Sequence, residues 1–173
     1  MTACRFGKAC KHANQRLLNQ FFAASGQLGA ESMANCYAAE ARFEDEVFSL
    51  QGQAEVTAMW RVLWVAICEK SADVWALRVG SVEAGAISGH ALWVTDYRFS
   101  ATGRMVRNVI DCGFEFNPVG QILRQHDKFD PWTWSGQALG VPGLLLGWAP
   151  FMRRKIRSPA AANLQKFIAR RGA

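Results

Sequence analysis

Apolar residues recur at two different periods along this chain, and the change of period divides it into helical and extended segments. Leu17, Leu18, Phe21, Phe22 and Leu28 trace a helical stripe over roughly residues 12 to 25, interrupted at Ser25-Gly26. A shorter helix is expected from about Glu31 to Ala39, with Met33, Cys36 and Tyr37 turned inward. The run Ala41 to Ser49 alternates instead. Phe43, Asp45 and Val47 then share one face, with Arg42, Glu44, Glu46 and Phe48 on the other, in a strand that closes at Gln51-Gly52. The clearest helix follows: Val56, Met59, Trp60, Leu63, Trp64, Ile67 and Cys68 repeat at three and four residues and place two indoles on one face.

From Asp73 to about Phe129 the alternation predicts four antiparallel strands, separated at Glu83-Ala84-Gly85, Ala101-Thr102-Gly103 and Asn117-Pro118-Val119-Gly120. On the second, Ala91, Trp93, Thr95, Tyr97 and Phe99 share a face; on the third, Val106, Asn108, Ile110, Cys112, Phe114 and Phe116 do. Asn108 and Cys112 are thus the polar members of an apolar surface. Both faces of the sheet carry apolar groups, so helices must cover one and a partner sheet or second subunit the other. The order of elements describes an α+β domain, a curved mixed or antiparallel sheet wrapped around one long helix.

Asp130-Pro131 has the composition of a helix start, with Asp as N-cap and Pro in the first turn. The main body is therefore expected over residues 1–130, with 131–173 a helical extension packed on it or on a partner subunit. Charge separates the two parts. Residues up to Asp130 hold 13 basic and 14 acidic groups, whereas the remainder holds seven basic groups and no acid. The apolar stretch Leu139 to Met152 is too short and too rich in Gly and Pro to span a bilayer. With Arg153-Arg154-Lys155-Ile156-Arg157 behind it, it either closes the mouth of the body or lies on an anionic membrane; the first is preferred. The basic run lacks interleaved aromatics, so nucleic acid is not an expected partner.

At 173 residues, half of them apolar, the chain can bury a substantial core. Seven Trp and eleven Phe suit a lined pocket, a large core or an interface. The five cysteines, Cys4, Cys10, Cys36, Cys68 and Cys112, form no Cys-x-x-Cys pair, which speaks against a disulfide framework or a zinc ribbon. Cys4, Cys10 and His12 are a weak ligand trio, and no metal or cofactor is expected. No signal-peptide pattern is evident, and a cytoplasmic location is the expectation.

The chemistry begins with Asp45. An acid on the inward face of a strand is desolvated, and desolvation raises a carboxyl pKa toward the range useful for proton transfer. The competing reading is a hydrogen-bonded core aspartate. Tyr37, Tyr97, Asn108 and His126 are the polar groups that could assist it. Tyr97 shares its face with Trp93 and is either a pocket donor or an amphipathic core residue. His126, alternating with Ile122 and Arg124, is either a proton relay or a surface group, and Arg124 with Asp127 a surface pair.

The segment Tyr37-Ala38-Ala39-Glu40-Ala41-Arg42-Phe43-Glu44-Asp45-Glu46-Val47, followed by a helix near Gly52, resembles the nuclear transport factor 2-like superfamily. This group includes ketosteroid isomerases, SnoaL-like cyclases, limonene-epoxide hydrolases and scytalone dehydratases, and the resemblance covers roughly residues 12 to 130. It implies a cone-shaped, usually dimeric fold with a deep pocket for a small hydrophobic molecule. Asp45 falls at the isomerase base, while Phe21 and Cys112 fall where the two oxyanion donors stand. The implied ligand contacts are Phe21, Tyr37, Trp60, Trp64, Trp93, Cys112 and Phe114; Asp45, Asn108, Tyr97 and His126 are the implied catalytic set. An Arg-Asp-Asp water-activating set, as in the epoxide hydrolases, would need Arg107 or Arg124 beside Asp45. Two functions follow: cofactor-free isomerase, cyclase or lyase chemistry on a polycyclic or carbonyl-containing molecule, or non-catalytic ligand binding or dimerisation.

Overall fold

A computed structural model of the chain describes the backbone of residues 2–146 and the side chains of residues 9–143. Two helices come first, α1 (Thr2–Gly26) and α2 (Ala30–Ala34), then strands β1 (Tyr37–Glu44) and β2 (Ser49–Gln51). The helix α3 (Gln53–Lys70) precedes four long strands: β3 (Ala76–Ala84), β4 (Ser88–Arg98), β5 (Met105–Phe116) and β6 (Ile122–Lys128). Helices α4 (Pro131–Leu139) and α5 (Val141–Leu146) follow. The expected second helix is shorter than its pattern suggested. It stops at Ala34, and Tyr37 belongs to a strand, because the apolar run Cys36 to Ala38 is buried as the start of a sheet element.

The six strands form one mixed sheet in the order β2-β1-β6-β5-β4-β3. Every neighbouring pair is antiparallel except β1 and β6, which run parallel. Alternation is strict on β5, where Val106, Asn108, Ile110, Cys112, Phe114 and Phe116 are buried and the intervening residues exposed or half-buried. It fails once on β6. Glu115 pairs with Arg124 but Phe116 pairs with Ile122, so Leu123 is an extra residue without an opposite number, a β-bulge. Beyond the bulge the faces are exchanged: Gln125 and Asp127 are buried, and Arg124 and His126 exposed. The expected Arg124–Asp127 pair is therefore absent; Arg124 meets Glu115 at 3.3 Å on the outer face.

The helices cover the inner face. Leu18, Phe21 and Phe22 of α1 and Met59, Trp60 and Trp64 of α3 meet the buried side chains of β1, β4 and β5 in one core. Polar residues of α1 also tie down edge strand β3. Gln15 Nε2 donates to the Val82 carbonyl at 3.0 Å, Gln15 Oε1 accepts from the Ala84 N–H at 3.1 Å, and Asn14 Nδ2 donates to the Gly85 and Ala86 carbonyls. An otherwise open strand edge is thus covered. Helix α4 is capped as expected, Asp130 accepting from the Trp132 N–H at 2.9 Å, and Trp134 packs with Val106, Phe99 and Phe129. Among the described residues no helix is long and apolar enough to cross a membrane. The basic run 153–157 and the last amphipathic stretch lie outside the described residues.

Phe21 stands at the centre of this core. Its ring meets those of Phe22, Tyr37, Trp60 and Phe114 edge-on at centroid distances of 5.2 to 6.3 Å, and it is 1% exposed. Phe21→Ala is expected to cost about 3–5 kcal/mol of stability, read as a lowered urea midpoint at unchanged slope.

Candidate functional site

Between the inner face of the sheet and α3 lies a cavity of about 270 Å³. Its walls are mainly aromatic. Trp60 and Trp64, one turn apart on α3, stack with centroids 5.3 Å apart, and Trp75 meets Trp64 edge-on at 5.5 Å. Trp93, Phe99 and Trp134 add further ring surface. Such a lining favours a flat, apolar ligand over a small polar one.

Few polar groups interrupt the aromatic wall. Thr95 and Asn108 stand opposite each other on β4 and β5, Tyr97 lies two residues farther along β4, and Asp45 and Asp127 come from β1's end and β6. Arg98 also lines the cavity, its guanidinium held by Asp73 at 2.8 Å.

Asp127 is a strongly perturbed acid of the site. The bulge at Leu123 turns it inward, opposite Cys112 of β5, where it is 4% exposed. Gln125 Nε2 donates to its Oδ1 at 2.9 Å, and the Cys112 thiol also bonds the carboxyl. Burial raises the Asp127 pKa from 3.8 to about 7, against the lowering effect of those two hydrogen bonds and with a further upward push from the charge of Asp45. A carboxyl of this kind is divided between acid and base near neutral pH, so it can both give and take a proton.

Asp45 occupies a different setting from the one its alternation suggested. The strand ends at Glu44, and Asp45 opens the turn into β2. Its Oδ1 accepts the N–H of Val47 at 2.6 Å and that of Phe48, and its own N–H donates to the Phe48 carbonyl. This is the local hydrogen bonding that favours Asp in turns. The side chain is half-buried and lines the cavity, so Asp45 is a turn-forming carboxylate at the cavity's edge and the inward strand acid is Asp127.

Tyr97 and Asn108 line the cavity as expected, together with Trp60, Trp64 and Trp93. Trp134 Nε1 donates to the Tyr97 hydroxyl at 2.8 Å, and burial pushes the Tyr97 phenol up to about 12, so it stays protonated. Four other expected ligand contacts lie deeper. Phe21, Tyr37, Cys112 and Phe114 are buried in the core and do not line the cavity. His126 is exposed on the outer face and takes no part, because the bulge reversed its side. Arg107 and Arg124 also face outward, so no arginine from either position joins the two acids. Asp127 was the residue that alternation alone misassigned; the only sequence signal for it was the apolar Leu123 beside Ile122, which strict alternation cannot accommodate on one face.

Two lining indoles carry a further feature. Trp64 Nε1 and Trp93 Nε1 are closed off from solvent and have no acceptor among the described residues. Each unmade hydrogen bond of this kind costs about 1–3 kcal/mol.

No protein-family model matches the sequence, and no curated protein matches it. Solved structures do share its fold. An LEH-like epoxide hydrolase from M. tuberculosis superposes with a TM-score of 0.59 at 14% identity, covering 79% of this chain and 95% of that one. An NTF2-like protein from Burkholderia thailandensis E264 gives 0.60 at 13% identity over 73% of this chain and 96% of the other. A protein with a ketosteroid isomerase-like fold from Catenulispora acidiphila, in complex with trimethylamine, gives 0.59 at 10% identity over 78% and 97%. The chain has the NTF2-like fold. Within that fold its acid pair is Asp45 and Asp127, with Phe21 and Cys112 offering no strong donor to the cavity.

The raised pKa of Asp127 has a consequence for stability. The folded protein binds this proton more tightly than the unfolded chain does, so folding is opposed as pH rises from about 4 to about 7 and the full cost is present above that window. That cost is on the order of 4 kcal/mol. Asp127→Asn, neutral at every pH, should raise the melting temperature at pH ~8 and change it little at pH ~4, as scanning calorimetry would show.

Proposed function

We propose that the cavity binds a small apolar molecule bearing an oxygen acceptor, and that Asp127 moves a proton on it without a cofactor, as an isomerase, cyclase or lyase would. The observation that carries this reading is a buried carboxyl, with a pKa of about 7, on the wall of an aromatic cavity. Asp45 serves as the charged neighbour that keeps Asp127 basic, and as a second candidate base. The Tyr97 hydroxyl accepts from Trp134, which leaves its own proton for the ligand, and Asn108 offers an amide close by.

A non-catalytic ligand-binding role is the second reading, favoured by Phe21 and Cys112. An enzyme lacking an oxyanion donor forfeits about 3–4 kcal/mol of transition-state stabilisation. Deuterium uptake at the carbon beside the carbonyl of α-tetralone, followed by NMR in D₂O, separates the two. Catalysed uptake is expected, with Asp127→Asn slowing it about 10²- to 10⁴-fold and leaving tetralone affinity nearly unchanged. Tetralone that binds without catalysed exchange would favour the second reading.

Leu92, Val94 and Val109 form an apolar strip on the outer face, with Leu92 40% and Val109 50% exposed. The strip is bordered by the pairs His90–Asp111 and Arg78–Asp96, which supports a homodimer joined through this face. Light scattering should give a dimer mass for the wild type and a monomer mass for Val109→Lys.

A further inference from the structure

Trp60, Tyr37, Gln125 and Asp127 are joined in a buried row that runs from one wall of the cavity through the core to the other. Trp60 Nε1 lies 3.1 Å from the Tyr37 hydroxyl, that hydroxyl 2.5 Å from Gln125 Oε1, and Gln125 Nε2 2.9 Å from Asp127 Oδ1. Trp60 is 3% exposed, Tyr37 and Gln125 0%, so no water competes for these bonds. The row also crosses the fold, from α3 through β1 to β6.

Its direction is set by its first member. An indole nitrogen donates and cannot accept, so the Tyr37 oxygen must be the acceptor there. The phenol has one proton, and it goes to Gln125. That choice settles the orientation of an amide whose oxygen and nitrogen would otherwise be interchangeable: the oxygen meets Tyr37, and the N–H meets Asp127. We propose that Trp60 and Tyr37 act through Gln125 as positioning residues, forming a one-way hydrogen-bond chain that holds the Asp127 carboxyl and confines its proton to the oxygen Gln125 does not touch. The inference rests on the reading of Asp127 as the proton carrier.

The surroundings are consistent with a neutral chain. Burial pushes both the Tyr37 phenol and the Cys112 thiol well above their ordinary values, so each keeps its proton when Asp127 titrates. Among the described residues, the other ionisable groups facing this row are Cys36 near Tyr37, Asp45 from the β1–β2 turn, Tyr97 from β4 and Arg98, which is held by Asp73.

The test is the titration of the Asp127 carboxyl carbon by ¹³C NMR in the full chain, assigned with Asp127→Asn. Tyr37 is not a partner of Asp127 in the row, yet Tyr37→Phe frees the Gln125 amide to turn its oxygen toward the carboxyl, which favours the protonated acid. An upward shift of about one unit is expected, a tenfold gain in proton affinity. Gln125→Met should produce at least the same shift, and adding Tyr37→Phe to Gln125→Met should add nothing. A Tyr37→Phe protein that folds, by its amide spectrum, with an unmoved Asp127 titration overturns the chain; so does an undiminished Tyr37 effect in the Gln125→Met background. Should Tyr37→Phe not fold, an unmoved titration in Gln125→Met overturns it equally. A wild-type Asp127 that titrates as an ordinary aspartate would instead reject the proposed function itself, and the chain with it.

Discussion

Leu123 has no opposite number on β5, and that single insertion turns the polar end of β6 into the fold. Without it, Gln125 and Asp127 would face outward and His126 inward, and the aromatic cavity would have no buried acid on its wall. A bulge displaces one residue, but because side chains alternate with a period of two, it exchanges the faces of everything that follows. The parallel pairing of β1 with β6 sets Tyr37 opposite Ile122, and from there its hydroxyl reaches Gln125.

The site combines two environments that oppose each other. Stacked indoles and phenyl rings exclude water, and exclusion of water is what makes a carboxylate costly. The fold meets part of that cost with donors from Gln125 and Cys112, and adds to it with the charge of Asp45. Functional sites commonly hold such locally unfavourable arrangements, supported by the rest of the core.

The NTF2-like fold supplies the container and says little about the contents. Structures that superpose well on this chain at 10 to 14% identity include an epoxide hydrolase and a ketosteroid isomerase-like protein. In this chain Phe21 and Cys112 are buried away from the cavity, Arg107 and Arg124 turn outward, and indoles form much of the wall that also holds Asp127.

Local rules acting on the chain alone account for the helix α3, the four long strands with their turns, the inward faces of β4 and β5, and the cap at Asp130. They also place Trp60, Trp64, Trp93, Tyr97 and Asn108 on the surfaces that became the cavity wall. Periodicity is a nearest-neighbour property, so long regular elements declare themselves. Asp45 lines the cavity from a turn rather than from a strand, and His126 faces outward, for the same reason: each sits just past an irregularity, a turn in one case and a bulge in the other, that strict alternation cannot register. Only the tertiary structure decided that the inward acid is Asp127. Its burial, its pKa and its link to Trp60 come from residues far apart in sequence, brought together by the packing of α3, β1, β5 and β6.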